Sequence, residues 1–424
     1  MSMVRRILGM SVARGYGVML SLATLFVSAR ILGPTGRGEF AAAMAWAALF
    51  ATLSNLSLGQ ALQHRLQSSE KKMDLGEQLG TLGGLTVLLS VVALGSAAAL
   101  YWYTGGSLFK GLDGTLLLLA MASVPLLTWE QFASNILAAA ARTELLNRAQ
   151  YGGRTAGFLI FFLLVVYWRF GVNGALASQL LGQLLVALMV GWPLWKLAGR
   201  SVRWAQREVT PLLRSGTLIH LTTVSAFLLD QVSILLINNY LGKQDVGYYQ
   251  LAQQMVGLLL IVPQSALMVI YGGLAGSNPD QFWPTQRSVA KKVLAALAVV
   301  ALLAYLLAPF AIGLVAGPAF APSAKMFQAL LPTVLGISLA LLMTPQWISR
   351  GMLKMNTILT IVVSGVVVLS SSWVIPRYGV DGAIGVRLAV YAVWVPLAQM
   401  LFWWWCNKRA DAAHLNAMSK GVEE

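Results

Sequence analysis

Apolar runs of about 20 residues recur from one end of the chain to the other. As an α-helix rising about 1.5 Å per residue, each run is long enough to cross roughly 30 Å of hydrocarbon. With 58% hydrophobic and only 11% charged residues, the chain has too little polar surface to cover a soluble globule. The sequence therefore predicts an all-α polytopic membrane protein.

Twelve such spans are predicted, and the charges between them support the count. The spans are 11-32, 39-62, 80-103, 115-139, 153-168, 172-195, 215-240, 247-272, 292-316, 326-348, 356-375 and 382-405. The connections alternate in charge, and the set that begins with the N-terminus holds about three times as many Lys and Arg residues as the other set. Because cytoplasmic loops are enriched in these residues, both termini are predicted to be cytoplasmic. The first span lacks a convincing cleavage site and is interpreted as a retained helix.

The chain contains an internal repeat. LGPTGRGEF at residues 32–40 returns as LGKQDVGYY at residues 241–249, an offset of about 209 positions. RFGVNGA and RYGVDGA, which precede the sixth and twelfth spans, show almost the same offset. Six spans per repeat is an even number, so both repeats enter the membrane from the same side. We therefore predict two six-helix bundles, residues 1–205 and 206–424, related by a pseudo-twofold axis along the membrane normal with a cleft between them.

Polar and small residues follow one face of the first helix. Residues three and four positions apart share a helix face, and this spacing joins Arg14, Gly17, Ser21, Thr24 and Ser28. At the repeat offset, Ser21 corresponds to Asp230 on the seventh helix. Both the first and the seventh helix thus have a stripe of small or polar residues, which includes a basic residue in the first helix and an acidic residue in the seventh.

Amide side chains mark two further helices. Asn55 on the second helix corresponds to Gln264 on the eighth, where Gln250 and Gln254 lie on nearly the same face. Arg387 on the twelfth helix takes the place of a glutamine on the sixth. We expect these groups to face an interior rather than lipid.

Four charged residues are predicted inside the membrane: Arg14, Arg387, Asp230 and Glu130. A charge near the bilayer centre costs several kcal/mol, so each of them needs water or a partner. Arg14 and Arg387 lie near helix ends, where either a cavity or the headgroups can receive them. Asp230 is mid-span and is a candidate for gating or for binding a coupling ion, with a structural ion pair as the alternative. Glu130 is a second candidate for that role, with an interhelical hydrogen bond as the alternative.

Composition argues against several other functions. A single cysteine, Cys406, excludes an internal disulfide framework, and three scattered histidines favour no metal site. No cofactor is expected. The net charge of +15 would suggest nucleic acid in a soluble protein, but here the basic residues lie in loops between spans, so nucleic acid is not an expected partner. The loop near residue 205 has basic residues at helical spacing and is either a basic helix on the cytoplasmic leaflet or a solvated linker.

The chain resembles the Wzx-type polysaccharide flippases of the multidrug/oligosaccharidyl-lipid/polysaccharide exporter superfamily. The resemblance rests on ARILGPTGRGEF after the first helix, on NNYLGKQDVGYYQLAQQM after Asp230, and on the doubled GVxGA motif. It implies two bundles forming a V that opens alternately to each side and moves undecaprenyl-pyrophosphate-linked oligosaccharide to the outer leaflet of the bacterial cytoplasmic (inner) membrane. It also implies a role in O-antigen or exopolysaccharide assembly, beside a polysaccharide polymerase and chain-length machinery.

This cargo agrees with the polar residues predicted to face the interior. Cations bind a pyrophosphate, and hydroxyl and amide groups bind sugars. The candidates for binding substrate are Arg14, Arg387, Ser21, Asn55, Gln250, Gln254 and Gln264. Asp230 and Glu130 are the candidates for gating or ion coupling.

Two alternative functions remain open, and a third, a membrane enzyme, is not expected. A drug or cation antiporter of the same superfamily would use Asp230 and Glu130 but has no need of the two arginines. Lipid-linked peptidoglycan precursor flippases carry two additional helices and several arginines near the first helix, where this chain has only Arg14 within the span. A membrane enzyme, such as a polymerase or a glycosyltransferase, would need sizeable outer loops, and the outer loops predicted here are short.

Overall fold

The computed structural model describes residues 3–68, 73–140, 142–274 and 276–420. Every regular element in these residues is helical, as predicted. The α-helices are α1 (Met3–Asn55), α2 (Leu58–Ser68), α3 (Leu75–Tyr103), α4 (Gly114–Met121), α5 (Val124–Ala139), α6 (Thr143–Phe161), α7 (Gly171–Ala198), α8 (Gln206–Tyr240), α9 (Lys243–Leu259), α10 (Ile261–Leu274), α11 (Pro279–Ala316), α12 (Ala321–Ser349), α13 (Leu353–Leu388) and α14 (Val395–Lys420). Short 3-10 or π segments lie at Ser107–Phe109, Phe162–Tyr167, Gly199–Ser201, Pro318–Phe320 and Ala389–Trp394.

Ten helical spans in the described residues are long and apolar enough to cross a membrane. Two of them are too long for one crossing, because Met19–Leu66 has 48 residues and Leu353–Ala412 has 60, whereas about 20 suffice for the hydrocarbon core. Each contains one glycine with a left-handed φ angle, Gly33 at 66° and Gly379 at 61°, where the helix is interrupted. Counting both sides of the two interruptions gives the twelve predicted segments. The all-helical polytopic fold is confirmed.

The interruption at Gly33 folds α1 back on itself. Arg37 is buried, and its Nη1 donates to the carbonyl oxygen of Leu25 at 3.3 Å and to Ser28 Oγ at 3.0 Å. In a straight helix Leu25 and Arg37, 12 residues apart, would be separated by about 18 Å along the axis, beyond the reach of an arginine side chain. The connection between the first two predicted spans is therefore a single non-helical residue, Gly33. Pro34 fits the first position of a helix, and the chain is helical from there on.

The connection between α7 and α8 lies against a glycine face of α3. Gly76, Gly80 and Gly84 are four residues apart, so they share one helix face. A Cβ atom on Gly80 would overlap the backbone of Arg203. The absence of side chains on this face therefore lets the backbone of the connection approach α3 closely.

Ion pairs hold the same connection. Arg203 lies 3.0 Å from Asp74 and 3.2 Å from Glu77, and Arg207 lies 3.0 Å from Glu77. Since α7 ends at Ala198 and α8 begins only at Gln206, the basic residues of this region do not form one helix. The structure thus shows a connection paired with α3 and not a basic helix on the leaflet surface.

The chain divides into two compact units, residues 1–247 and 248–424. The first unit includes α8, and a Cβ atom on Gly216 of that helix would lie 2.5 Å from the carbonyl oxygen of Leu56. The second unit has a core that contains Trp283, Leu339, Met343, Trp347, Phe402 and Cys406. The predicted division at residue 205 is defined by the sequence repeat, whereas the compact units are defined by packing. The division into two repeated bundles therefore stays a prediction.

We expect Gly80→Val to destabilise the protein by about 1–3 kcal/mol, since the new side chain overlaps the backbone of the connection. Thermal or denaturant unfolding of the purified protein measures the loss. Gly95→Val is the matched control in the same helix, because a Cβ atom there has no neighbour within 4 Å. An equal loss in both variants would show that helix composition, not the close approach, matters at Gly80.

We expect Arg37→Ala to destabilise the folded protein by about 2–4 kcal/mol, because it removes a buried side chain and the hydrogen bonds that hold the fold-back of α1. Arg30→Ala is the control. Arg30 is exposed and lies over the Phe26 ring at 4.6 Å, a contact whose loss costs no more than about 1 kcal/mol. Unfolding midpoints that fall equally in the two variants would contradict the structural role of Arg37.

Candidate functional site

The second membrane segment is broken at Leu56 and Ser57, between α1 and α2. Both residues have left-handed φ angles, 47° and 52°, which cost about 1–2 kcal/mol each for residues other than glycine. Ser57 is buried, and its Oγ forms a 2.9 Å hydrogen bond with Thr223 Oγ1 of α8. Irregular backbone at membrane depth is tolerated where protein buries it or where it lines a cavity, and broken helices form transporter binding sites. This break is a candidate site in the first unit.

Asn55 lies directly before the break. It is buried, and its amide Nδ2 donates to Gln131 Oε1 of α5. One residue earlier, Ser54 Oγ forms a 2.8 Å hydrogen bond with Thr128 Oγ1 of the same helix. These pairs join α1 to α5 beside the irregular backbone, and a contact of Asn55 with substrate stays a prediction.

Glu130 lies in a second polar cluster of the first unit. Its carboxylate accepts hydrogen bonds from Gln150 Nε2 of α6, at 3.3 Å, and from Gln183 Nε2 of α7. The geometry is that of the interhelical hydrogen bond, the alternative that the sequence left open. Its roles in gating and ion coupling stay predictions.

The polar stripe of the first helix is only partly described. Ser21 is exposed, and its Oγ donates to the carbonyl oxygen of Gly17 at 2.9 Å. Tyr16 is exposed one residue before Gly17, and its hydroxyl is hydrogen-bonded to Thr155 Oγ1 of α6 at 2.6 Å. The side chain of Arg14 lies outside the described residues, so its direction stays a prediction.

Asp230 lies on an exposed part of α8. Its Oδ2 accepts a 2.7 Å hydrogen bond from Gln231 Nε2. In the same stripe Ala226 is exposed, whereas Ser233 and Ile237 are buried. The roles of Asp230 in gating and in binding a coupling ion stay predictions.

Equivalent glycines of the two repeats cross in contact. A Cβ atom on Gly38 would overlap the carbonyl oxygen of Lys243, and one on Gly247 would overlap the carbonyl oxygen of Pro34. The second segment of α1 therefore meets the start of α9 backbone to backbone. Sequence analysis identified both glycines as one repeated position, but it did not predict that they touch.

An ion pair lies beside this crossing. Lys243 Nζ contacts Glu39 Oε1, and both side chains are mostly buried. The connection left between the predicted spans 215-240 and 247-272 is shorter than expected, because α9 begins at Lys243, directly after Gly242 with its φ of 145°. Arg37, two residues before Glu39, is also buried, although the sequence placed it in an outer loop. Pro34 is typical of the first position of a helix, so a helix that starts at Pro34 would have indicated that Arg37 and Glu39 are helical.

The second unit holds the other predicted residues. On α9, Gln250 is half-buried and Gln254 is exposed, and on α10 Gln264 is exposed. Arg387 is buried near the end of α13, and its guanidinium carbon lies 5.4 Å from the centre of the Tyr391 ring. Their contacts with a substrate stay predictions.

Sequence reasoning missed a buried polar network in the second unit. Arg350 pairs with Asp280 at 2.7 Å and donates through Nε to Gln346 Oε1 at 2.8 Å. Gln346 Nε2 in turn donates to Gln286 Oε1 at 2.8 Å. The network joins α11 to the C-terminal end of α12. Asp280 and Gln286 lie at least 60 residues before Gln346 and Arg350 and share no motif with them, so only the fold brings the two pairs together.

The structure therefore distributes the candidates of the first unit over separate places. Asn55 lies at the broken helix, Glu130 in an interhelical cluster, and Ser21 and Asp230 on exposed faces. Among the residues that the structure describes, no group of three or more His, Cys, Asp or Glu side chains is placed to hold a metal ion.

Residues 3–271 match the family model described as "Polysaccharide biosynthesis protein". No curated protein matches the chain. Several solved structures share its fold. An inward-facing multidrug resistance MATE family transporter of the MOP superfamily is 16% identical, with 93% of this chain and 95% of that chain covered and a TM-score of 0.68.

Two further solved structures match over similar lengths. The lipid II flippase MurJ, in an inward closed conformation, is 15% identical, with 94% of this chain and 87% of that chain covered and a TM-score of 0.74. A MOP superfamily transporter from Pyrococcus furiosus is 16% identical, with 96% and 95% covered and a TM-score of 0.61. Such low identities show the fold alone. Because the family model covers more than half of the chain, this multi-pass membrane protein belongs to the polysaccharide biosynthesis protein family, and it has the fold of the MOP superfamily transporters.

Proposed function

We propose that the protein is a flippase that moves undecaprenyl-pyrophosphate-linked oligosaccharide to the outer leaflet of the bacterial cytoplasmic (inner) membrane, for O-antigen or exopolysaccharide assembly. The family match of residues 3–271 carries the proposal, and the transporter fold supports it. Both termini are cytoplasmic in this proposal, in keeping with the charges of the loops. A polysaccharide polymerase and chain-length machinery are the proposed protein partners.

The proposed mechanism is alternating access, with the crossing of Gly38 and Gly247 as the outer gate. Two glycine backbones in contact can separate without unpacking interlocked side chains. The ion pair of Glu39 and Lys243 lies beside them and has to break when the gate opens. A ligand that binds the open arrangement better than the closed one shifts the equilibrium toward opening.

The proposed binding groups divide the cargo between charge and hydrogen bonding. Arg14 receives the pyrophosphate, because a guanidinium forms paired hydrogen bonds with phosphate oxygens. Asn55 and Ser21 serve the sugar, and Asp230 on its exposed face binds a coupling ion or a gate partner. A multidrug antiporter is the second candidate function, favoured by the exposed carboxylate of Asp230.

We expect Arg14→Ala and Asp230→Asn to lower translocation at least about tenfold, which equals roughly 1.4 kcal/mol in the barrier, while both proteins insert normally. The measurement is the appearance of lipid-linked glycan in the outer leaflet of proteoliposomes. Asp381→Asn is the matched control, since it neutralises an exposed acid elsewhere on the chain. Full translocation in both variants would contradict the proposed roles of Arg14 in binding pyrophosphate and of Asp230 in binding a coupling ion or a gate partner. Drug efflux without any glycan translocation by the unchanged protein would favour the antiporter.

Cross-linking tests the gate. In a Cys406→Ser protein that also carries Glu39→Cys and Lys243→Cys, we expect a short bifunctional thiol reagent to stop translocation and a reductant to restore it, because the bridge holds the crossing shut. The two single-cysteine proteins are the controls and should keep their rate after treatment. Undiminished translocation by the fully cross-linked protein would mean that this contact does not open during transport.

A further inference from the structure

A separate cavity of about 450 Å³ lies next to the crossing, within the first unit. Its volume falls within the range of about 300–1,000 Å³ that is usual for small-molecule sites. Three stretches of chain meet around it, and the lining residues are Thr35, Lys110, Gly111, Asn238 and the segment 241–245. By the predicted topology, the cavity is on the outer side of the membrane.

Asn238, which lines the cavity, has a buried acceptor without a donor. Asn238 is 2% exposed, and its Nδ2 donates to the carbonyl oxygen of Lys110 at 3.1 Å. That bond fixes the orientation of the amide, because the flipped orientation would place two oxygens together. The Oδ1 atom is buried and accepts no hydrogen bond from the described residues. A buried acceptor without a donor is unfavourable, so a ligand that donates a hydrogen bond to it gains binding free energy.

The chemistry of the lining favours a neutral ligand with many hydroxyl groups. Lys110 contributes a cation and Asp245 an anion, while Lys243 is paired with Glu39. A fully ionised phosphate would meet the Lys110 ammonium but would leave the Asn238 acceptor without a donor and approach the Asp245 carboxylate. Sugar hydroxyls both donate and accept, so they can satisfy Asn238 and bind both charged groups.

The cavity is coupled to the crossing through its lining. Thr35 follows Pro34 in α1, and the segment 241–245 contains Lys243, whose carbonyl oxygen meets Gly38. The loop that contains Gly111 packs against the side chain of Lys243, because a Cβ atom on Gly111 would lie 2.6 Å from Cε of Lys243. A ligand bound to all three stretches stabilises the arrangement in which the crossing is shut.

We infer that this cavity is a saccharide-binding subsite that receives a sugar of the exported glycan on the outer side and stabilises the closed crossing. The inference rests on the proposed function for the source of its sugar. A glycan that has already been exported would then hold the gate shut behind it.

Saturation-transfer difference NMR on the purified full-length protein tests the site. The probes are glucose, galactose, mannose, rhamnose, N-acetylglucosamine and the oligosaccharides released by mild acid from the surface polysaccharide of the producing cell, with inorganic pyrophosphate as the anionic probe. We expect at least one saccharide to give a signal that falls fivefold or more in Lys110→Ala and in Asn238→Leu. Lys325→Ala removes an exposed lysine elsewhere on the chain and should leave the signal unchanged.

Each remaining outcome counts against the subsite. Asn238 is buried, so if Asn238→Leu fails to fold, Thr35→Val replaces it, because Thr35 is an exposed lining residue. Saccharide signals that survive Lys110→Ala and Thr35→Val, signals from pyrophosphate alone, or silence from every saccharide would each overturn the inference. A protein that translocates the lipid-linked glycan but binds no free saccharide loses only this inference. One that binds saccharide but translocates nothing loses the proposed function instead.

Discussion

The contact on which the first unit depends is the approach of two backbones at Gly38 and Gly247. Neither position can carry a side chain, because a Cβ atom on either would overlap a carbonyl oxygen of the other helix. The contact requires α1 to fold back at Gly33 and α9 to begin immediately after Gly242, so both short turns serve it. Glycines at equivalent positions of a twofold repeat are the natural pair for such a contact, since isologous contacts join a surface to its own equivalent.

A second constraint is the lack of water in hydrocarbon. Every interruption of a helix frees backbone groups that lipid cannot satisfy, so each interruption needs protein around it. At Gly33 the fold-back is held by the buried Arg37, which binds a carbonyl and a hydroxyl of the preceding segment. At Leu56 and Ser57 the Thr223 hydroxyl of α8 is hydrogen-bonded to the Ser57 hydroxyl and ties the break to a neighbouring helix. Polar side chains in these segments thus have structural partners, which is why their presence alone does not identify a substrate site.

Much of the fold could be predicted from the sequence because it depends on local quantities. Apolar length determined the twelve segments, and the repeat located the equivalent glycines before their contact was known. The broken helix at Leu56 and Ser57 could not be predicted, because neither glycine nor proline marks it and tertiary contacts hold its left-handed backbone.

The candidate site was harder to predict for the same reason. Arg37 looked like a loop residue because its burial depends on one φ angle at Gly33. The ion pairs of Glu77 could not be predicted, because Arg203 and Arg207 lie more than 120 residues later in the chain. Of the predicted site residues in the first unit, Asn55 and Glu130 have partners on other helices, which sequence periodicity could not reveal.

Comparing equivalent positions of the two repeats separates structural residues from functional candidates. Gly38 and Gly247 are identical because the crossing leaves no room for any other residue. Ser21 and Asp230 differ, and both are exposed, so packing does not dictate the side chain at either position. At a position where packing does not restrict the side chain, one repeat can acquire a charged residue that the other repeat lacks. Glu130, by contrast, is held by two glutamines from neighbouring helices, and moving it would break both hydrogen bonds. Between the two acids, Asp230 is the one that lies on an exposed face, whereas Glu130 is tied to two neighbouring helices. Exposure and not packing is therefore what distinguishes the charge that one repeat has acquired.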